Sequence, residues 1–149
     1  MKKTLDTISG LISSVFYDII KLEEAFLKDN KYKDVSSKEI RTIEAIGTNK
    51  IKTMGAIAKN LDITLGTLTV SITNLEKKGY VRREKCLKDK RVVNVFLTEK
   101  GKKLFRLHKK FKENIMRSIV IDLSHQEKEI FNGALARVSQ ILHKQCINI

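Results

Sequence analysis

Small polar side chains between Thr64 and Lys77 form the part of the sequence best suited to binding chemistry. Hydroxyl and amide groups hydrogen-bond to base edges or phosphates, and threonine and valine methyls contact thymine methyls. Gly66 permits close approach of a phosphate, and the free N–H groups of a helix N-terminus suit the same anion. For any single threonine, a helix cap or an ordinary surface residue is the alternative. Together the side chains predict a surface that reads duplex DNA, formed by Thr64, Gly66, Thr67, Val70, Thr73, Asn74 and Lys77.

A basic hairpin is predicted directly after this segment. Two strand-like runs, residues 80–85 and 91–97, flank a short connection. At its tip, Arg91 is expected to enter a DNA minor groove while Asp89 holds the guanidinium by a paired hydrogen bond. A surface salt bridge of little energetic consequence is the alternative. Neighbouring lysines raise affinity through phosphate contacts without carrying sequence information, so the predicted tip contacts are Lys88, Asp89, Lys90 and Arg91.

Helices must position these side chains, and their boundaries can be read from caps. A helix over 53–60, a break at 61–63 and a helix over 64–78 form a helix-turn-helix. Leu68, Ile72 and Leu75 lie on one face of the second helix and should anchor it to the preceding helices.

Capping boxes open two further helices. The first, at 36–39, begins a helix that ends at Gly47 and turns isoleucines 40, 43 and 46 inward. The second, at 124–127, begins a helix expected to hold its apolar residues inside. The chain therefore predicts six helices and one hairpin, a mainly α fold with a small β-hairpin wing.

The first helix carries a broad apolar stripe, with residues spaced alternately three and four apart from Leu5 to Phe26. Such a stripe must be covered. The pattern alone leaves two interpretations open, a core within the same chain and the surface of a partner subunit.

Charge is concentrated in one region. The chain has 149 residues, 30 basic and 17 acidic, and a net charge of +13. Residues 77–117 hold 16 basic against four acidic residues, a net charge of +12. This localisation favours a polyanionic partner, whether nucleic acid, membrane surface or acidic protein.

Several other classes of protein do not fit the sequence. No apolar run is long enough to span a membrane. The two cysteines have no CxxC spacing, which predicts a cytoplasmic protein with reduced thiols. The three histidines are scattered, so neither a metal site nor a cofactor is expected, and no catalytic arrangement indicates an enzyme. Cys86 lies in the hairpin, where an inert surface thiol is favoured over a redox-active one.

Three short motifs together resemble the winged helix-turn-helix signature of MarR-family regulators. They are Leu75-Glu-Lys-Lys-Gly-Tyr-Val81, Asp89-Lys-Arg91 and Leu97-Thr-Glu-Lys-Gly101. The resemblance implies a single domain over 1–149, with a winged helix-turn-helix at 36–98 and dimerisation helices at 4–29 and 99–146. It also implies an obligate homodimer on a pseudo-palindromic operator and a ligand cleft, which makes the first-helix stripe a subunit interface. Leu65 departs from the polar residue common in the family, so no DNA contact is expected there.

Segments 33–40, 64–79 and 106–111 further resemble the family's repressors of fatty-acid synthesis genes in Gram-positive bacteria. That resemblance implies tighter DNA binding with acyl carrier protein bearing a long acyl chain. Acyl carrier proteins are strongly acidic, so a basic helix after the wing suits docking; attraction to flanking DNA is the alternative. The expected docking residues are Lys102, Lys103, Arg106, Lys109 and Lys110.

A fatty acyl effector would need an apolar slot. The candidates are Phe16, Ile20, Ile43 and Phe105, each of which also fits a simple core position. Two other functions stay open: a MarR-type regulator that responds to another small ligand or to oxidation, and a non-specific nucleic-acid-binding module.

Overall fold

The computed structural model describes residues 1–147, apart from the side chain of Ile147. Within that range it confirms a mainly α fold with a small β wing. In chain order the elements are α1 (Lys2–Asp29), α2 (Ser37–Ile46), β1 (Lys52–Thr53), α3 (Met54–Leu61), α4 (Leu65–Lys77), β2 (Val81–Lys85), β3 (Val93–Leu97), α5 (Glu99–Val120) and α6 (His125–Ile147).

The predicted helix caps are present. In the capping box of α2, the Glu39 backbone N–H donates to Ser36 Oγ at 3.2 Å, and the Ser36 N–H donates to Glu39 Oε2 at 2.9 Å. The helix ends at Gly47, whose φ of +66° lies in the left-handed region that favours glycine. Thr53 and Thr64 cap α3 and α4 through their hydroxyls. The capping box before α6 is also confirmed.

The wing contains one strand more than the sequence predicted. Strands β2 and β3 pair antiparallel, with Val81 opposite Leu97 and Lys85 opposite Val93. The additional strand, β1, pairs with the other edge of β3 and gives the order β1-β3-β2. With only two residues, it is too short for the alternating pattern by which strands are recognised. The predicted hairpin is therefore confirmed, and β1 is an addition to it that the sequence did not predict.

A well-packed core lies within residues 1–108. Ile40 and Ile43 of α2 and Leu68, Ile72 and Leu75 of α4 are completely buried. The inward positions predicted for these two helices are therefore confirmed. Helix α4 is held on one side by the core, which leaves its other side to solvent.

A buried histidine joins three helices of this unit. His108 in α5 is fully buried, with Nε2 2.9 Å from Glu23 Oε1 of α1 and Nδ1 3.2 Å from Glu44 Oε1 of α2. Burial opposes its protonation, but the hydrogen bonds to the two carboxylates outweigh burial and raise the pKa of His108. The hydrogen bond to His108 in turn holds the pKa of Glu23 below its usual value. The sequence had given this histidine no role.

The contacts divide the chain inside α5, into one compact unit over Met1–His108 and a second that begins at Lys109. In the second unit, the apolar residues of α6 were expected inside and are not. Ile130 is 67% exposed and Leu142 is 59% exposed. The amphipathic pattern identified the face correctly, but the described chain does not bury it.

The stripe of α1 is also uncovered. Leu11 and Phe16 are 62% and 66% exposed, and burial begins only near Leu27. Among the described residues, no helix is long and apolar enough to cross a membrane.

Candidate nucleic-acid interface

Helix α4 presents a continuous exposed surface opposite its buried face. The seven residues of this segment that were predicted to contact DNA are called the readers. Of these, Thr73 is half-buried and the others are exposed. The exposed readers are Thr64, Gly66, Thr67, Val70, Asn74 and Lys77. The sequence therefore predicted the outward face of this helix well.

The threonine hydroxyls at the start of α4 are already engaged with one another. Thr64 Oγ1 accepts the backbone N–H of Thr67 at 3.2 Å and lies 2.9 Å from Thr67 Oγ1. A hydroxyl has one donor and two acceptor positions, so both side chains keep capacity for a further partner. Thr69 instead donates to the Leu65 carbonyl of its own helix at 2.7 Å.

Gly66 lies in open space. A Cβ built on it would meet only Thr64 Oγ1, at the ordinary contact distance of 4.0 Å. Nothing in the fold therefore requires glycine here. The absent side chain leaves the backbone of the first turn accessible to an approaching group.

Asp89 organises the wing tip differently from the prediction. Its Oδ1 accepts the backbone N–H of Arg91 at 2.9 Å, and its carbonyl accepts the N–H of Val92 at 3.0 Å. Within the described chain it forms no ion pair with the Arg91 guanidinium, so the predicted paired hydrogen bond was wrong. Aspartate commonly bonds to the backbone two residues ahead in tight turns. Asp89 thus shapes the turn, and Arg91, Lys88 and Lys90 are exposed around it.

An ion pair connects α4 to the wing. Arg83 of β2 donates from Nε to Glu76 Oε2 at 3.0 Å, and its backbone N–H donates to Glu76 Oε1 at 3.1 Å. The bond to Arg83 is the main reason why the pKa of Glu76 is lowered. Sequence reasoning missed this pair because a turn and a strand boundary separate its two partners.

Two grooves flank α4. The wing-side groove has a volume of about 770 Å³ and includes Leu65 and Thr69 of α4 and Arg91 of the wing. The α2-side groove has a volume of about 610 Å³ and includes Thr67, Val70 and Asn74 on the other flank of the same helix. The fold thus brings Arg91 into the same groove as one flank of α4.

Two cations in the α2-side groove were missing from the sequence prediction. Lys38 and Arg41 project from α2 and line the groove across from the α4 readers. Both are exposed. Because they precede the helix-turn-helix by more than ten residues, only the packing of α2 on α4 reveals their position.

The residues predicted for an acyl slot occupy different environments. Ile43 is fully buried in the core, and Phe105 is partly buried against it. Ile20 is half-buried on α1, and Phe16 on the same helix is exposed.

The residues predicted to dock acyl carrier protein are on α5. Lys103, Arg106, Lys109 and Lys110 are exposed, and Lys102 is half-buried beside Glu99. In the part of the chain that the structure describes, no group of three or more histidine, cysteine, aspartate or glutamate residues could hold a metal ion.

Comparison with known proteins agrees with this geometry. The family model described as MarR matches residues 35–93. The chain is similar to Streptococcus pneumoniae FabT, solved in complex with DNA, with 35% identity and a TM-score of 0.89 over 95% of this chain and 99% of that one.

Similar proteins known by sequence are also regulators. The uncharacterised HTH-type transcriptional regulator YfiV of Bacillus subtilis is 31% identical over 110 residues, which are 73% of this chain and 68% of YfiV. The HTH-type transcriptional regulator SarZ of Staphylococcus haemolyticus is 30% identical over 121 residues, 81% of this chain and 79% of SarZ. With an exposed recognition helix, a basic wing and these relatives, the chain belongs to the MarR family of DNA-binding transcriptional regulators.

Proposed function

We propose that this regulator is a homodimeric repressor of fatty-acid synthesis genes that binds a pseudo-palindromic operator. We further propose that acyl carrier protein bearing a long acyl chain tightens that binding. The observation that carries the proposal is the exposed surface of α4, within a segment that resembles the fatty-acid-synthesis repressors. The similarity to FabT over nearly the whole chain supports the same assignment.

Base reading rests on the chemistry of the exposed face of α4. Asn74 offers an amide suited to an adenine edge, and Val70, 62% exposed, offers methyls suited to thymine. An α-helix fits the width of the major groove. These groups therefore favour sequence-dependent binding over simple attraction to phosphates.

A homodimer would cover the apolar faces that each unit leaves exposed. Helix α1 exposes its stripe from Leu5 to Leu22, and α6 exposes its own apolar face. Large apolar surfaces of this kind mark protein–protein interfaces. A two-fold dimer would present two α4 helices to a two-fold operator.

Docking of acyl carrier protein would use the basic side of α5. The five lysine and arginine residues from 102 to 110 are spaced as neighbours on one helix face. An acidic partner would associate with such a face through electrostatic steering. Lys100 lies outside this set, and its Nζ donates to the Lys78 carbonyl at 2.9 Å and lies over the Tyr80 ring.

Operator recognition can be tested by fluorescence anisotropy with a palindromic AT-rich duplex, a scrambled duplex of equal length and the intact protein. We expect clear preference for the palindrome, because α4 and the wing contact bases as well as phosphates. Equal affinity for both duplexes would instead identify a non-specific nucleic-acid-binding module.

The effector is tested by titrating the operator complex with acyl carrier protein loaded with a long acyl chain, and with the unacylated form. We expect only the acylated form to tighten binding. The double variant Lys103→Glu and Arg106→Glu should lose this response, whereas Lys3→Glu at the start of α1 should keep it.

A response to oxidation is the alternative that this experiment separates. Cys86 lies half-buried at the wing, with its backbone N–H bonded to the Val92 carbonyl at 2.9 Å. No change with acylated carrier, combined with a peroxide response that Cys86→Ser abolishes, would make the protein a redox sensor.

A further inference from the structure

The recognition helix, α4, has a groove on each flank. An α-helix with its side chains is about 10–12 Å across, and the major groove of B-DNA is about 12 Å wide. A helix seated there therefore faces a sugar–phosphate backbone on both sides. The wing-side groove supplies basic groups for one backbone, including Lys85 and Arg91.

The α2-side groove supplies the corresponding groups for the other backbone. Its basic lining residues are Lys38, Arg41 and Lys78, against the single carboxylate of Glu39, so the lining carries a net charge of +2. Lys78 is already occupied, because its Nζ donates to both Glu39 oxygens at 2.7 and 2.8 Å. Among the described residues, neither Lys38 nor Arg41 forms an ion pair. These two exposed cations are therefore available to an external anion.

We propose that Lys38 and Arg41 bind phosphates of the second DNA backbone, the one that borders α4 on its α2 side. The proposal rests on α4 lying in the major groove. It assigns these two residues the role of positioning the recognition helix, because phosphate contacts fix register without reading sequence.

Two bonds hold α2 against α4 and keep the cations at a fixed offset from the readers. Thr42 of α2 and Ser71 of α4 share a hydrogen bond of 3.0 Å between their hydroxyl oxygens. The Glu39–Lys78 pair connects the start of α2 with the end of α4. A contact between Lys38 or Arg41 and a phosphate would therefore help to fix the position of Thr67 and Asn74 in the major groove.

The remaining lining of the groove suits a DNA backbone as well. Leu61 and Ile63 lie half-buried at its edge, beside the exposed methyls of Val70. A nucleic-acid strand alternates charged phosphates with less polar sugars. A surface that combines two cations with apolar side chains complements both parts of that repeat.

The test measures DNA affinity as a function of salt concentration for wild type, Lys38→Ala, Arg41→Ala and the double variant. Each phosphate contact contributes about 0.9 to the slope of log affinity against log salt. We expect each single variant to lose about that much slope and the double variant about twice as much. The loss should be equal on operator and scrambled duplex. Arg41→Lys should keep the slope, because a point charge suffices for a phosphate.

Lys3→Ala is the matched control. Lys3 precedes Glu23, the residue of α1 that bonds to His108, by 20 residues, or about 30 Å of helix. Removing its charge changes the net charge of the protein by the same amount as each single variant, without approaching the groove. Its slope should equal that of wild type, and circular dichroism should show all variants folded.

Unchanged slopes in folded Lys38→Ala and Arg41→Ala would overturn the proposal. So would normal DNA binding combined with a lost response to a small anionic effector, since the groove would then be a ligand site. The salt slope can be measured on any duplex. A wild type that fails to prefer its operator would therefore refute the proposed function and leave this inference separately testable.

Discussion

Gly66 and Gly101 both lie in the first turn of a helix, yet the structure gives them opposite requirements. The space beside Gly66 is open. A Cβ on Gly101 would lie 2.1 Å from the carbonyl oxygen of Tyr80 and 3.3 Å from Leu97 Cβ. The obstacle at Gly101 is backbone, which cannot rotate away as a side chain can. Glycine is therefore required for packing at 101 and is available for function at 66.

Gly101→Ala should destabilise the fold. We expect the free energy of unfolding to fall by about 1–3 kcal/mol or more, because forcing an extra methyl into a packed site usually costs that much. Urea denaturation followed by circular dichroism at fixed protein concentration would measure it. Unchanged stability would mean that α5 and Tyr80 separate readily.

Gly66→Ala should leave stability unchanged or raise it by up to about 1 kcal/mol, because alanine is the better helix former. It should weaken operator binding by about 1.5–3 kcal/mol, the value of a hydrogen bond to a charged group, if a phosphate approaches the first turn. Anisotropy and urea denaturation on the same preparation separate the two effects. Wild-type affinity in this variant would place the DNA backbone away from Gly66.

At the scale of single residues, the sequence predicted the contacts of side chains whose partners are close along the chain. The caps at Ser36, Thr53 and Thr64 depend on an N–H three residues ahead, so the local pattern defines them. Asp89 shows the limit of local reasoning. Its carboxylate had two partners within reach on the same residue, the guanidinium and the backbone N–H of Arg91, and spacing alone does not choose between them.

Helices and strands are joined by polar contacts between residues of different elements, and the contacts of His108 join residues more than sixty positions apart. His108 connects α5 to α1 and α2, and Glu76 connects α4 to β2. Helical periodicity predicts which face of α5 turns inward, and so predicts that His108 is buried. It does not predict the carboxylates of Glu23 and Glu44 that bond to this histidine, because they lie on other helices. The missed strand β1 has the same explanation, because its pairing with β3 spans more than forty residues.

The His108 cluster predicts a pH dependence of stability. A raised pKa in the folded state means that the stabilisation by protonated His108 is complete below the unfolded value of about 6.5. It is lost as the pH rises through the higher folded pKa. Glu23, with its lowered pKa, contributes above its own unfolded value and loses that contribution in acid. The cluster should therefore stabilise the fold most at pH values between the unfolded pKa of Glu23 and the unfolded pKa of His108.

Urea denaturation of wild type and His108→Gln from mildly acidic to mildly alkaline pH would measure this effect. We expect the free energy of unfolding of wild type to fall as the pH rises above about 6.5, and the profile of the variant to be flatter. His125→Gln is the matched control, because that side chain is 91% exposed. Parallel profiles for wild type and His108→Gln would contradict the assignment.

For the whole molecule, the main difference between the sequence prediction and the structure is the exposure of the apolar faces of the amphipathic helices α1 and α6. The apolar faces of α1 and α6 were read correctly, but periodicity does not reveal what covers a face. The structure leaves Leu5, Val15, Leu135 and Ile141 at least half exposed. Such surfaces are costly in water, and the proposed homodimer would remove this cost.

Ile12→Asp should therefore convert the protein to monomers. Ile12 lies within the α1 stripe and is 54% exposed, so burying a carboxylate there in a dimer would carry a desolvation penalty. Ser14→Asp introduces the same charge on the opposite side of the helix and is the matched control. Sedimentation velocity would measure the mass, and we expect a dimer for wild type and Ser14→Asp.

The same substitution also tests whether both recognition helices act together. A dimer that contacts two half-sites in adjacent turns of the duplex binds through both α4 helices at once. A monomer holds one half-site and should lose most of the operator affinity while keeping its weak affinity for a single half-site. If Ile12→Asp sediments as a monomer and still binds the full operator like wild type, one copy is sufficient. The two-fold arrangement of reader and operator would then be wrong, even though each α4 still reads DNA.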